Sequence, residues 1–362
     1  MSIIVNASRI GCVGGLRGFA KALVQCLEGF PCISVVVPSG IHLTRENELQ
    51  FVPAWLASGA QISLLRPVLW LAYGAFCFPG ARTRRVLSST PHVLPFRKHQ
   101  IVTVHDIRSY YYPDSWVQAF YYRFLLPSAL KRCDGILTVS ESSRSLLVSV
   151  YRLEQERIHV VPNVVDCELL RPAANGAVDA DRYLLTVGSS WKHKNVTELL
   201  RMHEFWASRY RLKIVASAGQ YREVLVKMVR QLGIQDRVEL LSEVSPKELL
   251  LLYQHCAALV YPSTMEGFGL PPLEAMACGR PVIVSDIAPF RELYGEVPVY
   301  VQLGNSESWR AAFAALEGYS EARIRSGIEH AKSYSQARMR SSLLCALRAI
   351  WGDDCLGEIS KV

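Results

Sequence analysis

The sequence predicts an α/β protein of two Rossmann-like domains facing one another across an interdomain cleft. Three observations carry this. Apolar runs of strand length alternate with segments of helical period. The alternation breaks off near residue 166 and starts afresh near 183. The chain has 362 residues, more than one ordinary core needs, and half of them are apolar, which excludes a disordered chain.

In the first half, strands are predicted at 3–6, 33–38, 100–105 and 135–139, with periodic helical segments at 18–26 and 116–131. Ser140 stands where it would cap the helix after the fourth of these strands. Prolines and small residues mark 166–181 as a linker between a first domain, 1–165, and a second, 182–334. In the second, strands are expected at 183–187, 211–216, 237–241, 257–261 and 281–284. Helices are expected at 195–206, 220–232, 246–255, 271–277 and 306–316. The final stretch, 335–362, reads as helical with no new strand, so it either covers the second domain or returns to the first. Open parallel sheets bind ligands at the carboxyl ends of their strands. That rule puts loops 11–18, 105–114, 188–195 and 262–274 within reach of one site.

The formal charge of +8 and pI near 9.0 suit an anionic partner: nucleic acid, a phosphorylated small molecule or an acidic membrane surface. They equally suit a basic solubilising surface. Ten cysteines without a close CxxC pair point to a reducing compartment, not to a disulfide scaffold or zinc site. The N-terminus lacks the apolar core of a secretory signal, and the aromatic-rich stretch 67–79 is shorter than the ~20 residues of a spanning helix. Segment 82–99 carries Arg82, Arg84, Arg85, Arg97 and Lys98 with no acid, a composition suited to anionic headgroups or to solubilisation.

Two stretches carry the chemistry. In EGFGLPPLE, residues 266–274, Gly267 and Gly269 permit a sharp turn and close approach to a ligand, and Pro271 and Pro272 suit a first helical turn. Glu266 falls before that helix and Glu274 within its first turns, so both carboxylates can reach one cleft and accept hydrogen bonds from a polyol. A structural reading makes Glu266 a turn cap and Glu274 an ordinary helix residue. In TVGSSWKHKN, a strand ends at Gly188 and Lys194 precedes a helix start, where its charge would add to amide donors in holding a diphosphate. Asn195 and Glu198 have capping-box spacing. Lys192 adds positive potential, and His193 reads as part of an exposed basic turn. The GxxxxGK phosphate loop is missing.

VGSSWKHKN, YPSTMEGFGLPPLEAMACGRPVI and HDIRSYYYPDSW together resemble glycosyltransferase family four, retaining enzymes of the GT-B architecture, along nearly the whole chain. The resemblance extends to mannosyltransferases of bacterial cell-surface polysaccharides. It implies a nucleotide diphosphate sugar as donor, with GDP-mannose the named candidate, and no required metal or other cofactor. Glu274 matches the glutamate expected on the ribose hydroxyls, and Glu266 the one beside the transferred sugar. The backbone of Gly267, Phe268, Gly269 and Leu270 would meet sugar hydroxyls and phosphate. Lys194 matches the lysine that neutralises the diphosphate. Ser189 stands where many relatives carry arginine, leaving Ser189 or Lys192 to compensate.

In the first domain, IGCVGG resembles the family's glycine-rich loop, with Gly14 and Gly15 the close-approach positions. His105 matches a histidine that contacts the donor sugar near the reacting carbon, and Asp106 would order its loop. Tyr110, Tyr111, Tyr112 and Trp116 form an acceptor wall or pack into a core. His105, Glu266 and Lys194 are thus the catalytic candidates. The implied acceptor is a glycan or lipid-linked oligosaccharide at the cytoplasmic face of the inner membrane, with no specific nucleic acid. The rival readings are a glycan phosphorylase, a nucleotide-sugar epimerase, and a nucleic-acid binding module held by surface charge.

Overall fold

In a computed structural model, the described residues are 3–8, 10, 15–30, 33–38, 49–52, 72–73, 84–173 and 182–353. The chain divides into two compact units, Met1–Val164 with Gln336–Val362, and Val165–Ser335.

The first unit holds a seven-stranded parallel sheet. In chain order its strands are β1 (Ile3–Asn6), β2 (Ile33–Pro38), β3 (Leu49–Val52), β4 (Arg85–Ser88), β5 (Gln100–Thr103), β6 (Gly135–Thr138) and β7 (Ile158–Val160), arranged β3-β2-β1-β4-β5-β6-β7. β1, β2, β5 and β6 are buried throughout, as expected of parallel strands covered on both faces. Asn6 ends β1 beside β4. Its amide donates to Ser88 Oγ at 3.1 Å and its carbonyl accepts from the Ser89 hydroxyl at 2.9 Å, so a fully buried polar residue is satisfied where the strand order reverses.

The second unit holds a six-stranded parallel sheet of β8 (Tyr183–Val187), β9 (Arg211–Val215), β10 (Val238–Leu241), β11 (Ala258–Tyr261), β12 (Val282–Ser285) and β13 (Val299–Val301). Its order is β10-β9-β8-β11-β12-β13, so the reversal lies between β8 and β11. The core on one side is organised by Trp206 and Trp309, both fully buried against Leu184, Ile214 and Ile283. Each such side chain contributes about 2–3 kcal/mol through apolar burial. Trp206 Nε1 donates to Leu199 O at 3.0 Å, which satisfies the ring's one polar atom.

Several predicted elements differ in detail. The segment 116–131 is one helical run broken by a π turn, Trp116–Phe120, Tyr121–Leu125 and Leu126–Leu130. The segment 195–206 splits at Met202 into Val196–Arg201 and His203–Trp206. Ser140 caps its helix, its hydroxyl accepting from Ser143 N at 3.1 Å.

The capping box expected at Asn195–Glu198 does not form. Asn195 is left-handed (φ 52°) and donates its amide to Glu198 Oε2 at 2.7 Å. The other oxygen of Glu198 takes Gly304 N at 2.7 Å and Trp309 Nε1 at 2.9 Å. Two donors from distant segments and the Asn195 amide itself outcompete the local cap. The box occurs instead at Ser245–Glu248, opening the helix Pro246–His255.

The helix Gln336–Trp351 packs on the first unit. Gln336 Nε2 donates to Ala22 O at 2.8 Å and Trp351 Nε1 to Asp134 Oδ2 at 2.6 Å. Ile350 fills the space above Gly135, where any Cβ would collide with it. The described part of the expected linker lies with the second unit, Arg171 O accepting from Gln254 Nε2 at 2.8 Å.

The six described cysteines, Cys26, Cys133, Cys167, Cys256, Cys278 and Cys345, are free. Burial pushes the thiols of Cys256 and Cys278 up to about 12, which keeps them inert core groups. Among the described residues no helix is long and apolar enough to cross a membrane.

Candidate active site

The loops after β8 and β11, adjacent strands at the reversal of the second sheet, carry Lys194 and Glu266. A ligand site is expected at such a switch point. Beyond Gly188 the chain makes a 3-10 turn, Lys192–Lys194, that aims Lys194 at the neighbouring loop. Its Nζ lies 2.5 Å from Glu266 Oε1 and 2.5 Å from the Tyr261 hydroxyl. The side chains of Lys194 and Glu266 are only 13% and 11% exposed, so the pair is poorly screened. Burial alone would push the Glu266 carboxyl up. The Lys194 ammonium, joined by His193 and the Ser263 hydroxyl, outweighs it and holds the carboxyl below the ordinary glutamate value.

Between Glu266 and Glu274 the chain turns into the helix Leu270–Ala277. Gly269 caps it in the left-handed region, φ 85°, where a Cβ would meet the Tyr294 hydroxyl and the Phe290 ring. The Tyr294 hydroxyl lies 2.5 Å from Gly269 O and 3.0 Å from Phe268 O, pinning the turn from beneath. Phe268 is buried with its ring edge-on to Tyr334, so this residue offers a ligand only its backbone. The first helical turn has no internal acceptors for its amides, and Pro271 and Pro272 carry none. The helix start therefore presents the N–H groups of Gly269 and Leu270.

Glu274, in the second turn, accepts from the Tyr253 hydroxyl at 2.6 Å. Burial raises its carboxyl above the ordinary value, and the Tyr253 hydrogen bond only partly offsets this. The two glutamates are thus tuned in opposite directions, one by a cation and one by desolvation.

The remaining candidates of this unit separate. Ser189 is fully buried, its hydroxyl 3.3 Å from Thr186 Oγ1 and its N–H on Val215 O, so its side chain faces the fold. Lys192 is exposed, beside the half-exposed Trp191. His193 is buried, not part of an exposed basic turn. Its carbonyl accepts from Thr264 N at 2.8 Å and from Thr264 Oγ1 at 3.2 Å, stapling the lysine loop to the glutamate loop.

In the first unit, His105 follows β5. Its Nε2 lies 3.1 Å from Ser89 O, which fixes the proton on Nε2 and leaves Nδ1 an acceptor. Burial lowers its pKa, the Ser89 hydrogen bond and Asp106 only partly opposing it, so the ring is neutral near pH 7. The Phe19 ring stands edge-on to it at 4.6 Å. Asp106 Oδ1 accepts from Arg108 N at 2.8 Å and so orders the loop. Gly15 opens the helix Gly15–Cys26, and Gly14 lies outside the described residues. Tyr110 packs on Tyr151, while Tyr111 and Trp116 are exposed.

Three tyrosines that support the site escaped the sequence reading. Tyr261 sits within the quoted glutamate block, where it reads as the last strand residue. Tyr253 and Tyr294 reach Glu274 and Gly269 from other helices, 21 and 25 positions away, with no local signal. Among the described residues no group of three or more His, Cys, Asp or Glu is placed to hold a metal ion.

Two family models match, glycosyltransferase family 4 over residues 31–169 and glycosyl transferases group 1 over residues 171–318. The O-antigen chain mannosyltransferase RfbU of Salmonella typhimurium is 35% identical over 330 residues, covering 88% of this chain and 92% of that protein. The O-antigen chain mannosyltransferase B of Escherichia coli is 30% identical over 222 residues, 56% of this chain and 57% of that protein.

Among solved structures, a sucrose-phosphate synthase from Thermosynechococcus elongatus superposes with a TM-score of 0.75 at 15% identity, covering 97% of this chain and 99% of that one. WaaG, a glycosyltransferase involved in lipopolysaccharide biosynthesis, gives 0.70 at 15% identity, covering 97% and 100%. At that identity the structures speak for the fold, and the family matches and the Salmonella relative for the chemistry. This chain belongs to glycosyltransferase family 4 and is a glycosyltransferase of the GT-B architecture.

Proposed function

We propose that this glycosyltransferase moves a mannosyl group from GDP-mannose to a hydroxyl of a growing cell-surface glycan, with retention at the anomeric carbon. The observation that carries the reading is the Lys194–Glu266 pair on loops at the sheet's switch point, with Glu274 eight residues beyond Glu266. The 35% identity to an O-antigen chain mannosyltransferase supports the sugar and the acceptor class.

In this reading Lys194 and the amides of Gly269 and Leu270 hold the diphosphate, and Glu274 accepts hydrogen bonds from the ribose. Glu266 keeps Lys194 oriented and meets the sugar hydroxyls. Neutral His105 offers Nδ1 to a sugar hydroxyl near the reacting carbon. The bond from C1 to the phosphate oxygen breaks as the bond to the acceptor oxygen forms on the same face. The acceptor proton passes to the leaving phosphate, and the nucleoside diphosphate departs. The carboxylates act by positioning and electrostatics, not as the acid and nucleophile of a glycosidase. The acceptor is held at the cytoplasmic face of a membrane, where the basic segment 82–99 would meet anionic headgroups.

The test is a panel of single nucleotide sugars with a lipid-linked oligosaccharide, read by product mass and by the anomeric coupling of the new linkage. Mannosyl transfer from GDP-mannose with an α linkage is expected. Sugar transfer to inorganic phosphate, or epimerised free donor, would replace this reading with a phosphorylase or an epimerase.

A further inference from the structure

The helical run 116–130 of the first unit is apolar on two sides. Tyr121, Leu126 and Leu130 face inward and are buried. Trp116, Phe120 and Phe124 are 80%, 51% and 63% exposed, and Leu125 beside them is 46% exposed. At 3.6 residues per turn, a spacing of four drifts steadily around a helix. The π turn Tyr121–Leu125 underwinds the run and offsets that drift, so the three aromatic rings form one ridge. The Phe120 and Phe124 rings lie 5.4 Å apart between centroids. Large exposed apolar rings in register mark an interaction surface.

The charge around the ridge identifies the partner. From Ser115 to Cys133 there is no Asp or Glu, while Arg123, Lys131 and Arg132 are all exposed. Arg123 is held over the Tyr110 ring, 5.5 Å from its centroid, and donates to Tyr110 O at 3.1 Å. Aromatic side chains flanked by cations, with no acid among them, match the headgroup layer of an anionic bilayer. There rings partition to the interface and cations meet phosphate.

We infer that the Trp116–Phe120–Phe124 ridge is a lipid-inserting surface that docks this unit on anionic bilayers, with Arg123, Lys131 and Arg132 as its electrostatic rim. The inference rests on the reading of a membrane-held acceptor and adds a second contact, on a segment distinct from 82–99.

The test is sedimentation of the full chain with phosphatidylcholine vesicles, with and without phosphatidylglycerol. The chain should bind the anionic vesicles at least about tenfold more tightly, less so in high salt. F120S/F124S should weaken that binding at least about tenfold with an unchanged melting midpoint, since burying either ring is worth that much. K131E/R132E should abolish the preference for phosphatidylglycerol. Wild-type binding by F120S/F124S, or failure of the wild type to bind anionic vesicles, overturns the inference. So does a dimer that F120S/F124S dissociates in sedimentation velocity, which would assign the ridge to a second copy. Transfer to a soluble oligosaccharide is measured in parallel. Vesicle binding without transfer refutes the proposed mannosyl transfer alone, and transfer without vesicle binding refutes the ridge alone.

Discussion

Lys194 and Glu266, 72 positions apart, form a nearly buried ion pair at 2.5 Å, and the Tyr261 hydroxyl completes the contact with the ammonium. Removing one partner leaves the other charge uncompensated, at a cost of about 3–5 kcal/mol. K194M is therefore expected to be strongly destabilised, and K194M/E266Q to recover part of the loss. Urea unfolding of both variants decides this, and equal destabilisation would mean that the pair is not coupled. Both should lose at least about a hundredfold in turnover, since the leaving diphosphate has lost its cation.

The two glutamates give opposite pH signatures. The Glu266 carboxyl is held below the ordinary 4.5, so its contribution to stability is present above 4.5 and is lost as pH falls through the lowered value. The Glu274 carboxyl is raised, so its contribution is present below 4.5 and is lost as pH rises through the raised value. E274Q should thus raise the melting midpoint at pH 7, with the gain vanishing in acid, while weakening nucleotide binding about tenfold. A lower midpoint at pH 7, or unchanged nucleotide affinity, contradicts the assignment.

Tyr294 pins the turn that separates the glutamates. Y294F deletes the buried hydroxyl that donates to Gly269 O and Phe268 O and should cost about 1–2 kcal/mol, with donor KM rising more than kcat falls. G269A adds a left-handed non-glycine residue and a collision with Tyr294, at a cost of about 1–3 kcal/mol from the backbone alone. Combining the two should leave that backbone cost and the collision with the Phe290 ring in place, which a double-mutant cycle in urea measures.

His105 is neutral where an ordinary histidine is half charged. Its burial makes the unfolded chain bind the extra proton first, so this residue withdraws stability as pH falls below 6.5. Labelled-histidine NMR should show the Nε2–H tautomer persisting below that pH. An imidazole that charges near 6.5 would contradict the burial of the ring, since the Ser89 hydrogen bond by itself favours the charged form.

The alternation of strands and helices was legible because parallel strands covered on both faces need continuous apolar runs, such as Ile33–Pro38 and Tyr183–Val187. Shorter strands gave too little signal. Val299–Val301 has three residues, and Arg85–Ser88 opens on a charge. The helix Glu321–Lys332 was missed because its buried positions are Gly327 and Ala331, small residues that let it lie against the helix Leu270–Ala277. In the candidate site, Glu266, Glu274 and Lys194 announced themselves through glycine and proline punctuation. Their partners Tyr253 and Tyr294 arrive from other helices, which no local pattern encodes. The burial of Ser189 and His193 was hidden for the same reason, since each is enclosed by the loop or strand next to it in space.

The helix Gln336–Trp351 belongs to a unit that joins the first 164 residues of the chain to residues 336–362. During synthesis, then, the amino-terminal sheet stays unsealed while the whole contiguous stretch 165–335 emerges and has time to fold. A chain cut after residue 335 would hold every residue of the second unit and lack the helix that seals the first, leaving the hollow over Gly135 open to chaperones.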